Sequence, residues 1–593
     1  MDSEEKGWEM VEPRCEGWLR RAVKVAVAAV LVVGGVILGN AVRRNLPWVM
    51  NTDEVFLVSR ALALPMMRFH PQWFGYPSLS FYLLAGAYGV CLGGAYVFGL
   101  VRSVTDCVRL YLEHPWAFYV VARGLAAGCV LLSAVLMYRV GLEVFSRRAA
   151  VAGALVMVLL PVVVENGATV RVENYQMPLL AGAMLMALRA ADGGRWKHYL
   201  WAGVLTGLAT SVKYPGALML ASVWAAHIVV VRRERCAWWR YVLDARLMGA
   251  CALSVVAFFA GSPFAAIDLP TFLSDLRMLK GVAHVYWASY GAPGGVSVLG
   301  ALGEAFTIPM AVLGLGALVW CVLRRRGAGL VLGVYPLLCG AYLGKAAGVR
   351  AYWFVALAPF VACALAGLLV DGLPRVLVRA DVRGMRWVEL VPIVVVVGWL
   401  GVLAAKRSWE MAGLDTRVEA RQWMLENAVS GAGVLMEHGR YLPKGSVPLP
   451  ECAESIERRV LARALKDGPA RGISDMTRKY FEIQKSLAGE RCFEIHPVVY
   501  DPMMGEGLLS ALEFPDSLEE YRQQGVRYAI IIVETLEAYE WEFEHGVRRE
   551  HARPFVELFR AIRREGVLRA TFEAKGWVND GPRVEIYELP ESR

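Results

Sequence analysis

Residues 21–42 read RAVKVAVAAVLVVGGVILGNAV, and this stretch decides the fold. It is an apolar run long enough to cross a hydrocarbon core of about 30 Å as a helix. Arg14, Arg20, Arg21 and Lys24 sit at its start, so its first residue is expected on the cytoplasmic side. No small-residue cleavage site ends the run and it is longer than a signal core, so it is expected to remain as an anchor. The rest of the chain repeats the theme. Apolar runs bounded by charge lie at 118–141, 149–165, 174–191, 199–213, 215–231, 247–267, 297–323, 328–345, 351–371 and 387–405, which makes eleven expected spans with the first. The chain's 56% hydrophobic content, 58 glycines and mean hydropathy of +0.42 exclude a water-soluble enzyme and a disordered chain.

Charge divides the chain in two. The net charge of +9 is +14 on residues 1–405 and −5 on residues 406–593. Basic clusters at Arg147-Arg148, Arg195/Lys197, Arg232-Arg233, Arg324-Arg325-Arg326 and Arg375–Arg386 all fall on the cytoplasmic side if the apolar stretch 77–101 does not cross. That stretch, with Tyr76, Phe81, Tyr82, Tyr88 and Tyr96, is therefore expected along the outer interface. The expected organisation is a cytoplasmic N-terminus, 1–20, a mainly α membrane body, 21–405, with a first external loop at 43–117, and an extracytoplasmic α/β domain, 406–593. The location expected is a multi-pass protein of the cell inner or plasma membrane. Within the tail, 415–427 has helical spacing, 526–533 is a β-rich run, and 583–589 alternates like an edge strand. Cys452 and Cys492, the only cysteines of the tail, are candidates for a disulfide in an oxidising compartment. A basic excess carried on an apolar body points to loop charges and membrane lipid, and nucleic acid is excluded as a partner.

The residues suited to chemistry gather at expected outer turns. Asn51-Thr52-Asp53-Glu54 follows the first span. A carboxylate close to the interface is partly desolvated and so a stronger proton acceptor, which a general base requires, though the same residues also suit a helix cap. Arg171-Val172-Glu173 occupies the next outer turn, Lys213-Tyr214-Pro215 another, and Lys345 and Arg350 the one after. Each cation alone is explained by snorkelling. Together they suit an outward pocket for a lipid with an anionic head, Arg and Lys holding the phosphate while a carboxylate takes a proton from a hydroxyl. The nine histidines are scattered and no residues with metal-ligand spacing stand outside the membrane.

Asn51–Glu54, Tyr76-Pro77-Ser78-Leu79, Arg171–Glu173, Gly203 through Lys213-Tyr214, Gly261–Phe264 with Asp268, Arg350 with Tyr352 and Pro359, Asp415–Trp423 and Gly581–Tyr587 form an ordered set along nearly the whole chain. The set resembles the GT-C membrane glycosyltransferases, in particular the family 39 group of protein O-mannosyltransferases and lipid A aminoarabinose transferases. The resemblance implies transfer of a hexosyl or pentosyl unit from a polyprenyl-phosphate sugar donor to a protein, lipid or glycan hydroxyl on the extracytoplasmic face. No metal or other cofactor is expected, because a lipid monophosphate is a stable leaving group once Arg or Lys balances its charge. The resemblance places the base on Asp53, with Glu54 beside it, and a second carboxylate at Glu173, where many members have aspartate. Inversion at the anomeric centre is expected from in-line attack. Arg171, Lys213 and Arg350 are the expected phosphate cations, with Tyr214, Tyr352 and Tyr76 the accompanying substrate residues. Two other readings are a lipid or sugar transporter or flippase, and a catalytically idle anchor that presents the tail for binding. The first should show mid-membrane charge and an internal repeat, and no repeat is found. The second would not be expected to retain Asp53, Arg171, Glu173 and Lys213 together.

Overall fold

The computed structural model describes residues 13–235, 237–288, 294–324, 327–345, 350–373, 390–437, 446–458, 475–498, 516–545, 549–576 and 578–590. Helix α1, Pro13–Arg43, opens a helical body; α2 (Thr52–Ala63), α3 (Leu79–Val97) and α4 (Val104–Glu113) fill the loop that follows. Then come α5 (Pro115–Val144), α6 (Arg147–Leu159), α7 (Pro161–Asn166), α8 (Val172–Gly193), α9 (Trp196–Thr210), α10 (Leu220–Glu234), α11 (Arg240–Leu243) and α12 (Ala245–Gly261). Among the described residues seven helices are long and apolar enough to cross a membrane, or eight if one bent pair counts as a span.

Several of the eleven expected runs fall short of that test for physical reasons. The run 149–165 is broken at Leu160-Pro161, where Pro161 starts a second helix. Helix α9 has 15 residues, and α8 begins with Glu173, Asn174 and Gln176. These helices are packed in protein, where neighbouring side chains rather than lipid satisfy polar groups. Conversely Leu79–Val97, which was not counted among the eleven, meets the test of length and composition. Its contacts nevertheless keep it at one end of the bundle. Leu79 N–H donates to the carbonyl of Ser211 after α9, and Ser78 N–H to the hydroxyl of Ser262 after α12. Nine residues further on, Tyr88 donates to the carbonyl of Phe118 at the start of α5.

The bent pair is Val298–Phe306 with Ile308–Arg324, folded by 94°. The elbow is Thr307, a β-branched residue at φ 66°. Such a conformation costs roughly 1–3 kcal/mol and persists only where surrounding packing imposes it.

The chain after the last membrane helix, Val391–Glu410, forms an α/β domain around strands β1 (Gly433–Glu437), β2 (Glu494–Val498), β3 (Val526–Ile532), β4 (Val567–Phe572) and β5 (Val584–Glu588), ordered β2-β1-β3-β5-β4. The first three are parallel and the last two pair antiparallel. Ala529 and Ile531 face Phe555, Phe559 and Ile562, while Tyr528, Ile530 and Ile586 face Ala420 and Met424, so helices cover both faces. The helix expected at 415–427 is Thr416–Asn427, capped by Asp415, and the run at 526–533 is β3. The stretch at 583–589 is an interior strand and not an edge, since β3 pairs on one side of it and β4 on the other; its buried Glu585 is tolerated there because Arg563 and Arg583 neutralise it and Tyr587 hydrogen-bonds it. Cys452 and Cys492 are disulfide-bonded.

The tail is tied to the body by charge. Asp580 pairs with both Arg44, after α1, and Arg407, in the last membrane helix; Arg407 also reaches Glu165 of α7 at 2.7 Å. Arg421 lies over the Trp48 ring at 4.3 Å.

Candidate active site

Asn51 caps α2 by accepting the N–H of Asp53 at 2.9 Å, which places Asp53 and Glu54 in the first helical turn. Carboxylates are favoured there by the partial positive charge of the helix end. The two neighbours then part. Glu54 is 1% exposed and receives Arg123 Nε at 2.9 Å and Arg123 Nη2 at 2.6 Å, with the Val170 N–H at 2.9 Å. Arg123 uses its remaining donors on the carbonyls of Val42 and Arg44. Glu54 thus joins α2, α5 and the turn before α8, and its carboxylate is fully engaged.

Asp53 faces a cavity of about 490 Å³ that it lines together with Arg44, Glu165, Arg171, Glu304, Arg350, Tyr352 and the tail's Arg417, among others. Its partner is Arg171, at 2.6 Å. The Asp53 side chain is 32% exposed, but to this cavity. Burial pushes its carboxyl above the usual aspartate value, helped by Glu173 and Glu54 and opposed by Arg171 and Lys213. Arg171 loses hydration by burial, yet Asp53, Tyr352 and Glu173 raise its pKa further. Its guanidinium lies 3.6 Å from the centre of the Tyr352 ring, a stacked cation–π contact.

Behind this wall Lys213 binds Glu173 at 2.5 Å and stands 5.4 Å over the Trp353 ring. Gln176 holds the Lys213 backbone through the carbonyls of Ala209 and Lys213, and Asn174 holds the turn before α8 through those of Asn166 and Thr169. Tyr76 lies within the field of Asp53 and Glu173; burial, then those charges, raise its pKa well above the ordinary value.

Of the residues singled out in sequence, Asp53, Glu54, Arg171, Arg350 and Tyr352 share the cavity, and Glu173, Lys213 and Tyr76 form its surround. Tyr214 does not join them: its hydroxyl donates to the Phe74 carbonyl at 2.7 Å and holds down the loop before α3. Asp268 pairs with His70 at 3.1 Å outside this cavity. Lys345 ends the helix Ala328–Gly344 and does not line the cavity. Sequence reasoning missed Arg123, Glu165 and Glu304. All three sit inside runs read as spans, where a lone charge is itself a signal of function. Among the described residues no three His, Cys, Asp or Glu side chains are grouped as a metal would need.

Residues 117–260 match the family described as dolichyl-phosphate-mannose-protein mannosyltransferase. No curated protein matches the sequence. Among solved structures the chain is similar to ArnT from Cupriavidus metallidurans in the apo state, at 13% identity and a TM-score of 0.48 over 97% of this chain and 98% of that one. It is also similar to the apo oligosaccharyltransferase of Archaeoglobus fulgidus, at 14% identity and 0.45 over 87% and 71%. A third is the arabinosyltransferase EmbB from Mycobacterium smegmatis, at 15% and 0.42 over 68% and 42%. The family match bears out the resemblance to GT-C membrane glycosyltransferases, and a multi-pass membrane glycosyltransferase is the coarse reading that stands on it. The matched segment contains Arg171, Glu173 and Lys213 and ends short of Asp53 on the N-terminal side.

Proposed function

We propose that the protein transfers a sugar from a polyprenyl-phosphate donor to a hydroxyl of a protein, lipid or glycan acceptor on the extracytoplasmic face of the membrane, with Asp53 as general base. The observation that carries this reading is the Asp53–Arg171 pair, a carboxylate with a raised pKa and a guanidinium, side by side at the wall of a cavity at the end of the helical bundle. The family description names a dolichyl-phosphate sugar, which supports the donor class.

The acceptor oxygen attacks the anomeric carbon as the bond from that carbon to the phosphate oxygen breaks. The hydroxyl proton passes to Asp53, and the lipid leaves as a phosphate monoester. In-line displacement inverts the anomeric centre. Arg171 and Arg350 face the cavity and balance the charge growing on the phosphate, a role that asks for no metal. Lys213 supports them from behind through Glu173. Glu54 is a positioning residue, holding the turn that carries Arg171 against the helix that carries Asp53.

Asp53→Asn keeps the shape and an acceptor for Arg171 but removes the base. Transfer from a radiolabelled polyprenyl-phosphate sugar should fall by roughly 10²- to 10⁴-fold while the variant folds and inserts as the parent does. Substantial residual transfer would take Asp53 out of the mechanism.

A further inference from the structure

Glu304 lines the same cavity as Asp53 and belongs to the arm Val298–Phe306, three residues before the elbow. Every other carboxylate of that wall is engaged: Glu54 by Arg123, Asp53 by Arg171 and Glu165 by Arg407. The Glu304 carboxylate makes no hydrogen bond or ion pair with any described residue; the fields of Glu165, Arg350 and Arg407 reach it. The elbow that presents it is strained, with Thr307 at φ 66° and a buried hydroxyl that has no partner. Glu304 is exposed and lines the cavity, so its carboxylate, which can only accept hydrogen bonds when ionised, is open to a ligand there.

Charge decides what it accepts from. A phosphate is repelled by Glu304 and drawn to Arg171, so a lipid-phosphate sugar enters with its phosphate toward Arg171 and its neutral, hydroxyl-bearing ring toward Glu304. Resting on the donor reading above, we infer that Glu304 is a specificity residue that binds hydroxyl groups of the sugar being transferred, while the arginines bind the phosphate that every such donor shares.

The test is binding of lipids to the full-length protein in detergent. The probes are a polyprenyl phosphate without sugar and the same lipid phosphate carrying mannose, glucose or arabinose. Glu304→Gln keeps the shape and removes the charge. It should weaken at least one sugar-bearing lipid by about tenfold, the loss of a charge-assisted hydrogen bond, and leave the bare polyprenyl phosphate unchanged or bound more tightly. Glu304→Asp should recover part of the loss. A variant that binds all four probes as the parent does, or weakens bare and sugar-bearing lipids alike, overturns the inference, the second because it marks a structural role. If the parent itself binds none of the probes, the donor reading falls first and this inference with it; if the parent binds them and Asp53→Asn still transfers, only the assignment of the base fails.

Discussion

Asp53 and Glu54 are neighbours in one helical turn, each with an arginine within 2.6 Å, yet they belong to different regions of the molecule. Glu54 points into packed protein, where two guanidinium bonds and a backbone N–H use up its oxygens and both partners are nearly unexposed. Asp53 points into the cavity, where one guanidinium contact leaves lone pairs available. The pairing is the same in kind; what differs is saturation. A saturated buried pair fixes geometry, and an unsaturated one beside a cavity has capacity left for a proton.

The largest effect that tests this difference is expected at the saturated pair. Arg123→Ala leaves Glu54 as a buried, uncompensated carboxylate and strips two carbonyls of their donor. A loss of about 3–5 kcal/mol in stability is expected, measured by thermal or denaturant unfolding in detergent, with transfer lost because the fold is lost. A folded, stable Arg123→Ala protein that transfers poorly would reverse the comparison and move the chemistry toward Glu54.

Arg171→Gln is the next test, with the opposite pattern. The site keeps its fold, since Arg171 lies at the cavity wall, but transfer should fall by roughly ten- to a hundredfold through lost charge on the phosphate. Its pH profile carries the sharper information. In the proposed mechanism the base works ionised, so activity should be lost as pH falls through the Asp53 pKa, which burial raises above 3.8. Removing Arg171 removes the main group that lowers it, so the acid limb moves to higher pH. An acid limb that stays in place in Arg171→Gln would show that another group titrates.

What the sequence could disclose follows the same division. Local patterns were legible: apolar runs with flanking charge marked the membrane body, and the turns holding Asp53, Arg171 and Lys213 were visible as polar residues at the ends of those runs. The cap that had competed with catalysis as an explanation of 51–54 is real, but Asn51 supplies it, which leaves Asp53 to the cavity. Roles set by partners far along the chain were not legible. Glu54 is decided by Arg123, 69 residues away, and β5 is interior because β3, distant in sequence, and β4 pair on either side of it. Tyr214 had the right neighbours in sequence and still turned to Phe74, because the loop before α3 needs an anchor.

The junction of body and tail lies between the two cases and should give the smallest effect. Asp580 carries two guanidinium partners, as a saturated carboxylate does, but Arg44, Arg407 and Asp580 have side chains 24%, 27% and 17% exposed, so water screens them. Burial alone would raise its pKa; Arg44 and Arg407 outweigh that and hold it below the usual aspartate value. A lowered pKa in the folded state means that the contribution is present above the unfolded value near 3.8 and is lost as pH falls through the lowered one. Asp580→Asn should therefore cost only about 1 kcal/mol or less at neutral pH, read as a modest shift in thermal unfolding, and the gap from the parent should close on acidification. Since the tail also brings Arg417 to the cavity, a small rise in donor KM with little change in kcat is expected alongside. A loss as large as that of Arg123→Ala would mean that partner number, and not exclusion of water, sets the strength of these pairs, and would undo the distinction between Asp53 and Glu54.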